Sequence, residues 1–186
     1  MAIPEFSATT GALPLGRHHC SLTEAKAHLV DHPQFTGSVS RPQIWQHWLI
    51  AKDTLKAVVP IHAAWIGGSF TTTKAEPDDM DVVFVINANA ASTLAGASRD
   101  LVWRFSRGSQ FHKPARRLDT FILEWTPIAE PGALRQVEDE SYFAWRGHWD
   151  DFWQRQRSGS KIDPVVPADA IPRRGYLEVR FGGYTT

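Results

Sequence analysis

The sequence predicts an α+β chain, a central β-sheet flanked by helices with helical N-terminal and irregular C-terminal additions. Three observations lead there. Val82 to Ile86 is an unbroken apolar run, the pattern of a strand buried on both faces at the centre of a helix-covered sheet. Ser21-Leu-Thr-Glu24 and Ser40-Arg-Pro-Gln43 both have the form of a capping box, so a helix is predicted from each. Ala63–Ile66, Leu118–Trp125 and Gly175–Phe181 read as further strands, and no repeat or linker divides the chain.

The 186 residues suit a single domain, 1–186, with an extended arm over 1–17, a core over about 40–125 and an extension over 126–186. Hydrophobic content of 42% and charged content of 22% are ordinary for a globular chain. Twenty Lys and Arg balance twenty Asp and Glu, so net charge marks no nucleic-acid or membrane partner and any basic surface must be local. Cys20 is the single cysteine, which excludes an intramolecular disulfide and suits a reducing compartment. No basic-then-apolar leader and no apolar run near ~18 residues is seen, so a cytoplasmic location with no membrane partner is expected. Eight tryptophans are expected mostly as packing residues, with base stacking open for one or two.

Taken in order, His18-His19-Cys20 has the residue types of a metal site but no second cluster at zinc spacing, and reads as loop. The first helix is predicted from Leu22 to Val30. The second starts at Ser40, carries Pro42 in its first turn and Ile44, Trp48, Leu49, Leu55 and Val58 as its apolar stripe, and ends before Pro60. Asn87 to Ala91 turns the chain, and Ser92 is expected to cap a helix reaching about Phe105. Arg104, Arg107, His112, Lys113, Arg116 and Arg117 make the only dense basic segment, either a solvated loop or a phosphate-facing surface. Residues 138–157 read as a broken helix and Ser158 to Pro172 as irregular loop.

The chemistry concentrates between Trp65 and Val85. A short strand runs into Gly67-Gly68-Ser69, a polar connection follows, and Asp79-Met80-Asp81 opens the next strand. Residues two apart in a strand share a face, so Asp79 and Asp81 project together. Adjacent carboxylates repel, and the partner that relieves them is a hard cation such as Mg²⁺, held together with substrate phosphates. Asp119 shares a strand face with Phe121 and Leu123, and a charge there is natural if it completes the acidic pair. Glu124 has the opposite parity; it and Glu178 are the alternatives to Asp119. Gly67 and Gly68 allow close backbone approach, Ser69 adds a hydroxyl, and Lys74 is either a phosphate partner or a solvated lysine. Asp78 points away on strand parity.

Ile66-Gly67-Gly68, ten residues, then Asp79-Met80-Asp81-Val82 resembles the signature of the polymerase-beta-like nucleotidyltransferase superfamily. The blocks Leu13–Arg17, Gly68–Thr71 with Lys74 and Pro77–Asp81, and Arg174–Val179 look like a small bacterial and phage subfamily of that fold. The resemblance implies a central mixed sheet and Mg²⁺-dependent (or Mn²⁺-dependent) nucleotidyl transfer from a nucleoside triphosphate, ATP foremost. Asp79 and Asp81 would bridge the metal ions, Asp119 would serve the ion nearer the attacking hydroxyl, and Gly67, Gly68, Ser69 and Lys74 would hold the triphosphate. The acceptor would be RNA such as tRNA, a protein hydroxyl, or a small molecule such as an aminoglycoside. A toxin–antitoxin or phage-related setting is an analogy of fold. Two other readings stand beside it: a silent nucleotide- or partner-binding module of the same fold, and a metal-dependent nuclease or phosphodiesterase. The last usually adds histidine ligands, and only His112 lies between Trp65 and Asp119.

Overall fold

Among the residues described by the computed structural model (3–107, 117–130, 137–160, 162–182 and 184), five strands pair into one mixed sheet. They are β1 (Gly16–Cys20), β2 (Ile61–Gly67), β3 (Met80–Asn87), β4 (Leu118–Trp125) and β5 (Gly175–Arg180), in the spatial order β1-β5-β2-β3-β4. The outer pairs, β1 with β5 and β3 with β4, are parallel, and the inner pairs are antiparallel. The helices are α1 (Leu22–Leu29), α2 (Ser40–Lys56), α3 (Ala88–Ser92), α4 (Gly96–Phe105) and α5 (Val137–Gln154).

Strand alternation divides the core into two layers. Ala64 and Ile66 of β2, Val82, Phe84 and Ile86 of β3, and Leu177 and Val179 of β5 face α1, α2 and α4, which supply Leu29, Trp45, Trp48, Leu55 and Phe105. Ala63 and Trp65, Val83 and Val85, Leu123 and Tyr176 face the other way, onto Tyr142, Trp149 and Trp153 of α5. β3 is thus buried on both faces, as its apolar run predicts. The candidate acids sit on the α5 face.

The first capping box forms as expected, with Ser21 and Glu24 bonding each other's backbone N–H. The second does not. Ser40 lies inside α2 behind Val39, and no side chain of the helix caps it. Instead Glu76, from the loop before β3, accepts from the N–H of Val39 and of Ser40 at 2.9 and 2.8 Å. A carboxylate distant in sequence takes the first two amides, which local pattern cannot reveal, and Ser38 Oγ accepts from the Arg41 N–H at 3.3 Å.

Other expectations also shift. The first seventeen residues are not all arm, and His18-His19-Cys20 is not loop. Leu13 is buried, and residues 16–20 form edge strand β1 against β5, a pairing across more than 150 residues of chain. Ser92 does not cap a helix; its hydroxyl donates to the Asn89 carbonyl at the end of α3. Asn87 caps α3, and α4 begins separately at Gly96, whose φ of +54° breaks the run. Residues 137–154 form an unbroken helix. The C-terminal strand is no appendage: β5 sits between β1 and β2.

Arg41 fixes the loop that carries the Gly-Gly-Ser turn. It is fully buried, lies over the Phe35 ring at 3.5 Å, and donates to the carbonyls of Leu29, Phe70, Thr72 and Lys74. Burial lowers its pKa to about 10, so it still carries its charge at neutral pH.

Candidate active site

One end of the sheet gathers the turn and the acids. β2 ends at Gly67, which lies opposite Asp81 on β3. Asp81 in turn lies directly opposite Asp119 on β4. Neighbouring strands run ~4.8 Å apart, so Asp81 and Asp119 are side by side on one face. Asp79 immediately precedes β3, and all three acids line one cleft of about 1090 Å³ with Gly68 and Ser69.

Each glycine has a different reason to be glycine. Gly68 has a φ of +69°, and a β-carbon there would lie 1.8 Å from Asp81 Oδ2. The Asp81 carboxylate is therefore laid against the turn's backbone. Gly67 has ordinary extended geometry, and a β-carbon on it would meet the Trp153 indole at 2.8 Å. That indole donates to the Trp65 carbonyl at 3.1 Å. Gly67 thus makes room for α5 and is not among the cleft-lining residues. Gly68 to Thr71 form a 3-10 turn, and the leading N–H groups of such a turn have no partner within it, which is how a backbone offers donors to an anion.

The structure does not bring Lys74 to the others. It ion-pairs with Asp78 at 2.7 Å and is not among the lining residues. Among the described residues, the cations that line the cleft are Arg155, Arg157 and Arg174, none of which the sequence pattern assigns to it. Arg174 donates to the Trp153 carbonyl at 3.2 Å. Burial lowers its pKa, with Asp81 acting against that shift. It directly precedes β5, which was legible as a strand; that β5 lies beside β2 was not. Asp169, also at the cleft, ties the preceding loop by accepting from Ser158 N–H and Oγ and from Val166 N–H, bonds that lower its pKa to about 2.

Neither alternative acid joins the site. Glu124 lies near the far end of β4, on the opposite parity to Asp119. Glu178 is buried in a network of its own, ion-paired with Arg17, His19 and Arg180 and bonded by the Tyr184 hydroxyl. His112, Lys113 and Arg116 of the basic segment lie outside the described residues.

Among the described residues, no three His, Cys, Asp or Glu side chains form a ready-made cation cage. That is compatible with Mg²⁺, which takes one or two carboxylates and completes its shell with water and substrate phosphates. Asp81 and Asp119 in register, with Asp79 beside them, are a hard oxygen donor set of this kind.

A family model matches residues 4–180, nearly the whole chain. The chain belongs to the family of unknown function DUF6932. The match covers every element of this DUF6932 sheet, from β1 through β5, and so includes the turn and all three acids. No curated protein and no solved structure matches the chain. Among the described residues, no helix is long and apolar enough to cross a membrane.

Proposed function

We propose that this protein is a Mg²⁺-dependent nucleotidyltransferase, moving a nucleoside monophosphate from a triphosphate, ATP foremost, to a hydroxyl acceptor. The observation that carries the reading is the packing of Gly68 on the Asp81 carboxylate with Asp119 in register beside it. A phosphate-approaching turn and paired acids are thereby held in one place, and Arg155, Arg157 and Arg174 line the same cleft. The order of strand, Gly-Gly-Ser turn, acidic strand, helix and third acid is also that of the polymerase-beta-like nucleotidyltransferase fold.

Mg²⁺ bound there would neutralise phosphate charge and make the acceptor hydroxyl more acidic. Asp79 and Asp81 would hold the cation, and Asp119 takes the hydroxyl's proton. The hydroxyl oxygen bonds the α-phosphorus while the bond from that phosphorus to the pyrophosphate oxygen breaks, and pyrophosphate leaves with the electron pair. Ser69 and the turn N–H groups bind triphosphate oxygens, and Arg174 stabilises the negative charge of the leaving group.

The test is transfer of label from an α-labelled triphosphate to lysate components, with Asp81→Asn and Asp119→Asn alongside. Transfer is expected from the unaltered protein and from neither variant. Tight triphosphate binding without transfer to any acceptor would instead make the protein a binding module. Shortening of nucleic acid without added triphosphate would make it a nuclease.

A further inference from the structure

The outer face of α5 carries a row of aromatics that the sheet does not use. Tyr142, Trp149 and Trp153 turn inward onto the sheet. On the opposite side, at helical spacing, Trp145 and Phe152 are 57% and 51% exposed, with exposed His148 between them. The His148 and Phe152 rings lie within 8° of parallel, 5.9 Å apart, and Trp145 meets His148 edge-on at 5.5 Å. The outward stripe, Ser141, Ala144, Trp145, His148 and Phe152, contains no carboxylate. Of the nearby acids of α5, Asp150 accepts from the Tyr176 hydroxyl and Asp151 pairs with Arg155, while Glu140 is exposed beside Ser141.

The stripe is continuous with the cleft, because Phe152 is both its last ring and a cleft-lining residue. Arg155, one turn further on, lines the cleft as well. From Trp145 to Phe152 the helix rises ~10 Å, about the length of three nucleotides in a stacked strand. Exposed rings leading to a cleft where Arg155, Arg157 and Arg174 stand among four aspartates offer an unpaired strand π-faces for its bases and guanidinium groups for its backbone. A duplex has no free base faces to offer.

We infer that the Trp145–His148–Phe152 stripe is the platform on which a single-stranded nucleic-acid acceptor stacks, leading its terminal hydroxyl to the cleft. What happens to that hydroxyl rests on the nucleotidyl-transfer reading: its oxygen displaces pyrophosphate from the α-phosphorus and its proton passes to Asp119. Strand binding itself does not depend on that reading.

The experiment uses the full chain and fluorescein-labelled oligoribonucleotides of about ten nucleotides, as single strands and as duplex, read by anisotropy. Single strands are expected to bind better than duplex, without strong sequence preference. Trp145→Ala and Phe152→Ala should each weaken binding by roughly 5- to 100-fold, the range of a lost base stack. Trp145→Phe should recover most of the loss, and circular dichroism checks that each variant is folded. Asp81→Asn should leave strand binding in place. Failure of every oligonucleotide to bind, or binding indifferent to both alanine variants, overturns the platform. So does self-association that Trp145→Ala abolishes in a protein that binds no strand, since the stripe then docks a second copy. Label transfer to a protein acceptor, unchanged in Trp145→Ala, also overturns it while the transferase reading stands. Strand binding lost in the alanine variants, with no label transfer under any condition, upholds the platform and removes the transferase reading.

Discussion

At Gly68 the backbone takes a conformation that L side chains rarely adopt, and the space a side chain would need already holds the Asp81 carboxylate. Gly68→Ala therefore strains the turn, by on the order of 1–3 kcal/mol, and pushes Asp81 aside. A shift of ~1 Å in a reacting group costs about 10²-fold in rate, so transfer should fall by that order while the chain stays folded. Gly67→Ala should act differently, lowering thermal stability by displacing Trp153, since its obstacle is the indole and not the acid. Thermal midpoints and transfer rates for the two variants separate the roles. Much at this scale was legible in the chain: the Asp-x-Asp spacing placed Asp79 and Asp81 at one cleft, and parity chose Asp119 over Glu124. Lys74 was not: Asp78, four residues on, ion-pairs with it. Nothing local assigned Arg155, Arg157 and Arg174 to the cleft, since only tertiary packing brings them there.

At the scale of elements, the start of α2 depends on an acid from another loop. The Ser40 side chain, then the Ser40 and Val39 amides, hold the Glu76 carboxylate at a pKa of about 2, against an ordinary 4.5. A group depressed in the folded state contributes fully above its unfolded value and loses that contribution as pH falls through the folded one. Its share of stability is thus complete above 4.5 and lost between 4.5 and about 2. Glu76→Gln should lower the thermal midpoint near neutrality and flatten its decline across that acid window. Parallel slopes for variant and parent would mean that the carboxylate does not hold the helix start. The sequence pattern found where α2 begins, from Ser40 and Pro42, but not what caps it. Glu76 and Arg41 both act on backbone more than thirty residues away, α2 being held at one end by the loop whose carbonyls it ties.

For the whole molecule, the sheet order explains which readings of the chain were bound to miss. Periodicity identified β2 to β5, yet residues 16–20 look like nothing in isolation, because β1 exists only through pairing with β5. The same order makes the C-terminus indispensable: β5 separates β1 from β2, and Leu177 and Val179 lie in one core layer and Tyr176 in the other. A chain ending before Ile171 should fail to unfold cooperatively, although it keeps the turn and all three acids. A sharp thermal transition in such a truncation would show that the strands from Ile61 to Trp125 fold without their neighbours.

We propose that the cleft at Gly68, Asp81 and Asp119 moves a nucleoside monophosphate. The most direct measurement is parallel incubation with triphosphate labelled at the α- or the γ-phosphate, in Mg²⁺, with lysate as acceptor. Incorporation of α-label and release of γ-label as pyrophosphate are expected, and neither in Asp81→Asn. Incorporation of γ-label, or α-label transfer that survives Asp81→Asn, would contradict it.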